Sequence, residues 1–414
     1  MSLSEELMWR GFIKDKTFSS PAWLDKPQTF YHGVDGSADS LTIGNLAALM
    51  LALHLAKNGW KPVLLVGGAT SLVGDPGGKD QERILPDKQI VAGNVSSIKS
   101  QIEKLFSAYS PEVVNNIDWL GGVKLLDFLR DTGKLYSMTE LIQREFVAER
   151  MGEGGSGISY AEFSYTLIQG YDYWHLFKNL GATLQIGGSD QWGNMLSGVD
   201  LIRKKESSEA HALSMPLITN KATGRKFGKS EAGAIWLDAK KTSPTRFYQF
   251  WINTEDSDVE DYLKIFTLRS KQEINQLMDG HRRTPQARHA QRTLASEVTN
   301  FIHGKEETHT AEVVTDLLTG KTALDQVGKG VIEQVRKEIA YVSLPASTAL
   351  ADALVATGLA TSKTDARRLI SNKAVYINGK VSDKELIKAE DFKSGRLLLR
   401  RGKAFKDTAL VERI

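Results

Sequence analysis

The 414-residue sequence has no cysteine. Disulfides, thiolate metal sites and a cysteine nucleophile are thereby excluded, and redox chemistry gives no clue to compartment. It also lacks any run of about 18 apolar residues, so no membrane span is expected. The opening "MSLSEELMWRGFIKDK" alternates charged and apolar residues without an apolar signal core, which makes a cytoplasmic setting the expectation. A strong overall charge is missing too, with 53 Lys/Arg against 50 Asp/Glu. That balance conceals an asymmetry. Residues 345–414 hold 14 basic and 8 acidic residues, leaving 39 against 42 in the remainder. A slightly acidic body with a basic tail fits an anionic partner such as nucleic acid, or simply a solvated surface.

What is present is apolar patterning in which strands alternate with helices. "PQTFYHGV" (27–34), "KPVLLVGG" (61–68) and "ATLQIGG" (182–188) read as strands, with a helix over 44–58 that stops at Gly59. Such alternation implies right-handed crossovers and a parallel sheet. From Ser243 to about residue 305 the pattern is helical, and the polar, glycine-containing stretch to about 345 reads as a connection. Two short helices follow, over 348–358 and 362–373, the second opening on a capping box at Ser362 and Asp365. A strand "AVYING" (374–379) comes next. A chain of this length has room for two or three domains.

Two glycine-rich segments imitate nucleotide motifs. "GEGGSG" (152–157) matches G-x-G-x-x-G, but the segment before it is helical and charged rather than a strand, so it reads as a loop. "GDPGGKD" (74–80) lacks the first glycine of a Walker motif and has Asp80 where Ser or Thr holds magnesium. Its backbone N–H groups and Lys79 can still meet a phosphate.

Three segments carry chemistry. In "AEFSYTLIQGYDYWHLF" (161–177), Tyr165, Gln169 and Asp172 share one face of an apolar helix that is expected to be buried on most sides. Buried polar groups need partners, either an internal network or a ligand bearing an ammonium or hydroxyl. "LQIGGSDQWGN" (184–194) ends a strand where α/β sheets bind ligands, with Gly188 permitting close approach and Asp190 able to accept from a ribose. Ser189 and Asp190 also suit a helix cap. "TGRKFGKSEAG" (223–233) is a basic loop, either solvated or a phosphate clamp.

In order along the chain, "YHGVDGSADSLTIGN", "LVGGATSLVGDPGGK", "FSYTLIQGYD", "LQIGGSDQWGN", "KFGKS" and "SPTRFYQFWINT" resemble the signature blocks of bacterial tyrosyl-tRNA synthetases. "TSKTDARRLISNKAVYING" is similar to the S4-type RNA-binding domain that this family appends. The resemblance implies a Rossmann-like α/β catalytic domain with a parallel sheet over 1–235. An α-helical tRNA-contacting domain over 236–325, a linker over 326–344 and an α+β S4-like domain over 345–414 would follow. "KFGKS" stands for the KMSKS loop, and Thr42-Ile43-Gly44-Asn45 stands where the HIGH motif belongs, without its histidines.

Residue roles follow from the same resemblance. Tyr31 and Asp172 would hold the phenolic hydroxyl of L-tyrosine, and Asp75, Tyr165 and Gln169 its ammonium. Gln191 would face the carboxylate, Asp190 and Gly188 the ribose, while Asp35, Gly44 and Asn45 border ATP. Thr42, Gly44, Asn45, Lys79, Arg83, Lys226, Lys229 and Ser230 would serve the phosphates. Lys363, Arg367, Arg368, Lys373 and Lys380 would contact tRNA(Tyr). Magnesium would arrive with ATP, no tightly bound cofactor is implied, and the chain would form a homodimer through the apolar run over 115–133. Two alternatives stand beside this reading. A tryptophanyl-tRNA synthetase is opposed by the Tyr165/Gln169/Asp172 face and the S4-like tail. A non-catalytic RNA-binding protein is favoured only by the altered HIGH segment.

Overall fold

A computed structural model covers the chain and describes residues 1–74, 87–142, 145–152, 154–155, 157–219, 227, 229–230, 233–402 and 407–414. At residues 140, 145–146, 149 and 229–230 only the backbone is described. The chain forms two compact units, Met1–Lys241 with Thr254–Ala290, and Thr242–Asn253 with Gln291–Ile414.

The first unit is built on a six-stranded sheet of β1 (Asp15–Lys16), β2 (Thr29–Asp35), β3 (Lys61–Gly67), β4 (Glu112–Asn115), β5 (Ala182–Gly188) and β6 (His211–Met215). Their order is β1-β6-β5-β2-β3-β4, parallel except for β1. The chain runs outward from β2 to β4, then returns to start again at β5 on the other side of β2. That reversal places the carboxyl ends of β2 and β5 around one crevice, the position where such sheets bind ligands. β3 is buried at every position after Lys61, as a central parallel strand should be. The helix Ile43–Lys57 is buried nearly all round, at eleven of its residues from Ile43 to Ala56. The helix Tyr160–Leu180 differs from expectation. Tyr165, Asp172, Tyr173 and Leu176 are buried, but much of its remaining surface is only half-covered and Tyr160 is exposed. The "GEGGSG" run follows a helix, Glu145–Met151, as the sequence suggested.

In the second unit, β9 (Ala340–Leu344), β10 (Val375–Ile377), β11 (Lys380–Val381), β12 (Arg396–Arg401) and β13 (Thr408–Arg413) form one sheet. Side chains alternate across its faces, as strand geometry demands. Leu397, Leu399, Ala409 and Val411 pack with Leu350 and Leu354 of the helix Leu350–Ala356 and Ala366 of Lys363–Ser371. Leu398 and Leu410 face the other way, onto Val314, Leu317, Ile332 and Val335 of the helices Lys305–Leu318 and Lys329–Glu338. The stretch 326–344, read from sequence as a linker, therefore carries a helix and a strand. β9 pairs parallel with β13, and Ile332, Val335 and Ile339 belong to the core beneath it.

Candidate active site

The crevice between β2 and β5 opens into a cavity of 510 Å³, within the range of small-molecule sites. Its lining brings together Tyr31, Asp35, Thr42, Asn45, Tyr165, Gln169, Asp172, Gly188, Asp190 and Gln191. Residues far apart in sequence converge because strand ends and helix starts meet at the reversal.

At one end lie Tyr31 and Asp172. Tyr31 is 2% and Asp172 1% exposed. Asn116 Nδ2 donates to Asp172 Oδ2 at 2.9 Å, and Trp119 Nε1 donates to Oδ1 at 2.7 Å. A carboxylate can accept more than two hydrogen bonds, so capacity remains for a ligand hydroxyl. Burial raises the Asp172 pKa to about 7, with Asn116 and Trp119 opposing the shift. Burial first, and the Asp172 charge second, keep the Tyr31 phenol protonated. Asn116 also donates to Thr70 Oγ1 at 3.0 Å and accepts from Ala69 N at 2.7 Å, which locks its amide. His175 stacks on Trp119 with ring centroids 4.5 Å apart. Sequence reasoning missed Asn116 and Trp119. They lie more than fifty positions from Asp172, and the only signal was two polar-capable side chains in a segment read as apolar.

The other end is bounded by the start of the helix Ile43–Lys57. Thr42 N and Thr42 Oγ1 both donate to Asn45 Oδ1, at 2.9 and 2.8 Å, so the Asn45 side chain reaches back and satisfies the residue that opens the helix. Gly44 is exposed and lies outside the cavity lining. A Cβ there would meet only Thr42 Oγ1 at 3.5 Å, so the protein's own packing does not require glycine at this position. Gly188 is different. A Cβ at that position would lie 2.5 Å from Asp190 Oδ1, so any larger residue would turn the Asp190 carboxylate away from its place. Ser71 Oγ donates to Asp35 Oδ1 and accepts from Gly36 N at 2.8 Å, fixing the turn after β2.

His32 also lines the cavity and escaped the sequence reading. Its Nδ1 lies 3.1 Å from the Ile186 carbonyl oxygen, which only accepts, so Nδ1 carries the proton. Burial lowers its pKa, leaving a neutral ring whose Nε2 is an acceptor. His32 follows Tyr31 on β2 and so takes the opposite face of the sheet.

Asp75, Lys79, Arg83 and Lys226 lie outside the described residues. Lys229 and Ser230 form the two-residue strand β7, paired with β8 (Gly233–Ala234), and are described in backbone only. In the second unit, Lys363 pairs with Asp352 and Arg368 with Asp365. Arg367, Lys373 and Lys380 make no ion pair among the described residues.

A crevice at the strand-order reversal of a parallel sheet, lined by a helix start and a buried carboxylate, is the kind of small-molecule site that doubly wound α/β proteins carry. Comparison with known proteins agrees. The family model described as tRNA synthetases class I (W and Y) matches residues 24–319, and the chain belongs to that family. Within it, its place is among the tyrosine–tRNA ligases: a model of the tyrosine–tRNA ligase C-terminal domain matches residues 331–406. A tyrosine–tRNA ligase of Staphylococcus haemolyticus is 43% identical over 97% of both chains, and one of Streptomyces avermitilis is 41% identical over 99% of this chain and 98% of its own. Among solved structures, a C-terminally truncated mitochondrial tyrosyl-tRNA synthetase of Aspergillus nidulans has a TM-score of 0.68 and 32% identity. It covers 77% of this chain and 94% of its own.

Proposed function

We propose that the chain activates L-tyrosine with ATP and transfers the tyrosyl group to the 3′-terminal ribose of tRNA(Tyr). The observation that carries this reading is the buried Asp172, held by Asn116 and Trp119, in a cavity that Tyr31 and the start of the helix Ile43–Lys57 also line. A phenolic hydroxyl fits between an acceptor carboxylate and the Tyr31 hydroxyl. Tyr165, Gln169 and Gln191 border the amino-acid head, while Asp190 and His32 offer acceptors to the ribose side. The tyrosine carboxylate then attacks the ATP α-phosphorus, forming tyrosyl-adenylate and releasing pyrophosphate. A terminal tRNA hydroxyl displaces AMP from the adenylate in the second step. Neither step needs a side-chain nucleophile; positioning and charge placed near the phosphates do the catalysis. Magnesium enters as part of the ATP substrate. Roles for Asp75, Lys79, Arg83, Lys226, Lys229 and Ser230 follow from the family motifs alone.

The basic second unit supplies phosphate contacts, with Arg367, Lys373 and Lys380 available for them. Leu125, Leu126 and Leu129 are exposed in the segment that the family resemblance assigns to subunit pairing, which supports a homodimer. No helix among the described residues is long and apolar enough to cross a membrane; a cytoplasmic setting is part of this reading.

Charging of tRNA(Tyr) with labelled tyrosine tests the proposal. Stable, tyrosine-specific attachment supports it, and attachment of tryptophan instead sinks it. The pH dependence is a second test. Tyrosine binding uses the ionised Asp172 as acceptor, so the apparent KM for tyrosine rises as pH falls through about 7. Fold stability runs the other way. The raised folded-state pKa means Asp172 adds stability fully below its unfolded value of 3.8, and this is lost as pH rises through about 7. Asp172→Asn removes both dependences, which paired KM and unfolding measurements from pH 5 to 8 detect.

A further inference from the structure

The segment leading into the helix Ile43–Lys57 is strapped to residues 235–241 of the same unit. Ile43 N donates to Ile235 O at 3.0 Å and Leu237 N to Leu41 O at 2.8 Å, around an antiparallel bridge between Thr42 and Trp236. Asp238 N donates to Ser40 Oγ at 3.2 Å. Beyond this backbone pairing, Lys241 Nζ forms an ion pair with Asp39 and lies 4.8 Å from the centroid of the Trp236 ring. Trp236 and Thr42 both line the cavity, whereas Lys241 and Asp39 do not. A lysine that engages a carboxylate and an aromatic face together restrains both.

We propose that Lys241 is a positioning residue for the nucleotide end of the site. Its ammonium, anchored by Asp39, fixes the Trp236 ring and the Thr42 turn, and so sets the wall against which ATP rests. The inference rests on the reading of this cavity as the ATP site. Because the pair is largely exposed, it adds little to global stability, and its effect falls on local geometry.

Lys241→Met is expected to raise the KM for ATP about tenfold in tyrosine-dependent pyrophosphate exchange. The dissociation constant for tyrosine, measured without ATP, and the melting temperature stay unchanged. Lys241→Arg, which pairs and stacks as well, restores the KM to within about threefold. Asp39→Asn reproduces the defect, and the double variant is no worse than either single one, since both remove the same link. An unaltered ATP KM in Lys241→Met overturns the proposal. So does a parallel loss of tyrosine affinity, or multiplicative losses in the double variant. Should the wild-type chain show no exchange with tyrosine, the functional reading fails on its own. Direct ATP binding by equilibrium dialysis then tests the strap, with about tenfold weaker binding by Lys241→Met expected and equal binding against it.

Discussion

Asp172→Ala lowers tyrosine-dependent activation by roughly 10–10²-fold. The change removes a charged acceptor, whose hydrogen bonds are worth about 1.5–3 kcal/mol, and leaves the Asn116 and Trp119 donors buried at about 1–3 kcal/mol each. The first loss appears whenever the phenol binds. Part of the second appears as reduced stability, because the two donors are orphaned with or without ligand. Asp172→Asn separates these contributions. Its amide keeps the volume but must turn an NH2 toward either Asn116 Nδ2 or Trp119 Nε1, both of which donate. Activation therefore falls in that variant too, at a smaller cost to folding. The measurement is kcat/KM for tyrosine in pyrophosphate exchange alongside chemical unfolding. Near-normal kinetics in Asp172→Ala remove this residue from the site.

Ending the chain after Leu344 nearly abolishes tRNA charging while leaving activation by the folded molecules within about threefold. All the residues lining the cavity fall between Tyr31 and Trp236, in the first unit. The cut removes β10 to β13, and with them Leu398 and Leu410, which cover Val314, Leu317, Ile332 and Val335. Exposing one large apolar side chain costs about 1.5–3 kcal/mol. Uncovering even three or four of them rivals the whole stability of a typical domain, about 5–15 kcal/mol. Failure of the shortened chain to charge tRNA thus mixes misfolding of the second unit with removal of its RNA-binding side chains. A full-length chain carrying Arg367→Glu, Lys373→Glu and Lys380→Glu isolates the RNA-binding effect. Every phosphate that is no longer neutralised reduces the salt slope of tRNA binding by about 0.7–0.9. An unchanged slope in the triple variant places the RNA elsewhere, and full charging by the shortened chain makes the tail dispensable.

The folded core of the first unit was largely legible in the sequence. The strand read at 182–188 is β5, residue for residue, and the helix read at 44–58 is observed over Ile43–Lys57. Continuous apolar runs flanked by glycine leave little choice of structure. The second unit was harder. The helix Lys329–Glu338 offers Val331, Ile332 and Val335 in a polar, glycine-bearing context, so its apolar stripe is narrow, and β9 has no buried position. Both are stabilised by what packs on them, which a local pattern does not display. The site divides the same way. The Tyr165/Gln169/Asp172 face follows from helical spacing, and all three residues reach the cavity. The hydrogen bonds that orient Asp172 come from the chain after β4, and only the fold brings them there. Thr42 and Asn45 drew attention as departures from a motif, and the structure ties them together, with Asn45 Oδ1 accepting from both Thr42 N and Thr42 Oγ1.

The most direct test of tyrosine activation at this cavity is ATP–pyrophosphate exchange by the full-length chain, with tyrosine, phenylalanine and tryptophan supplied in turn. Exchange with tyrosine, at least about 10³-fold above phenylalanine by virtue of the unpaired Asp172 and Tyr31 that phenylalanine leaves behind, is the predicted result. Exchange driven equally by phenylalanine, or by tryptophan alone, or by none of the three, contradicts it.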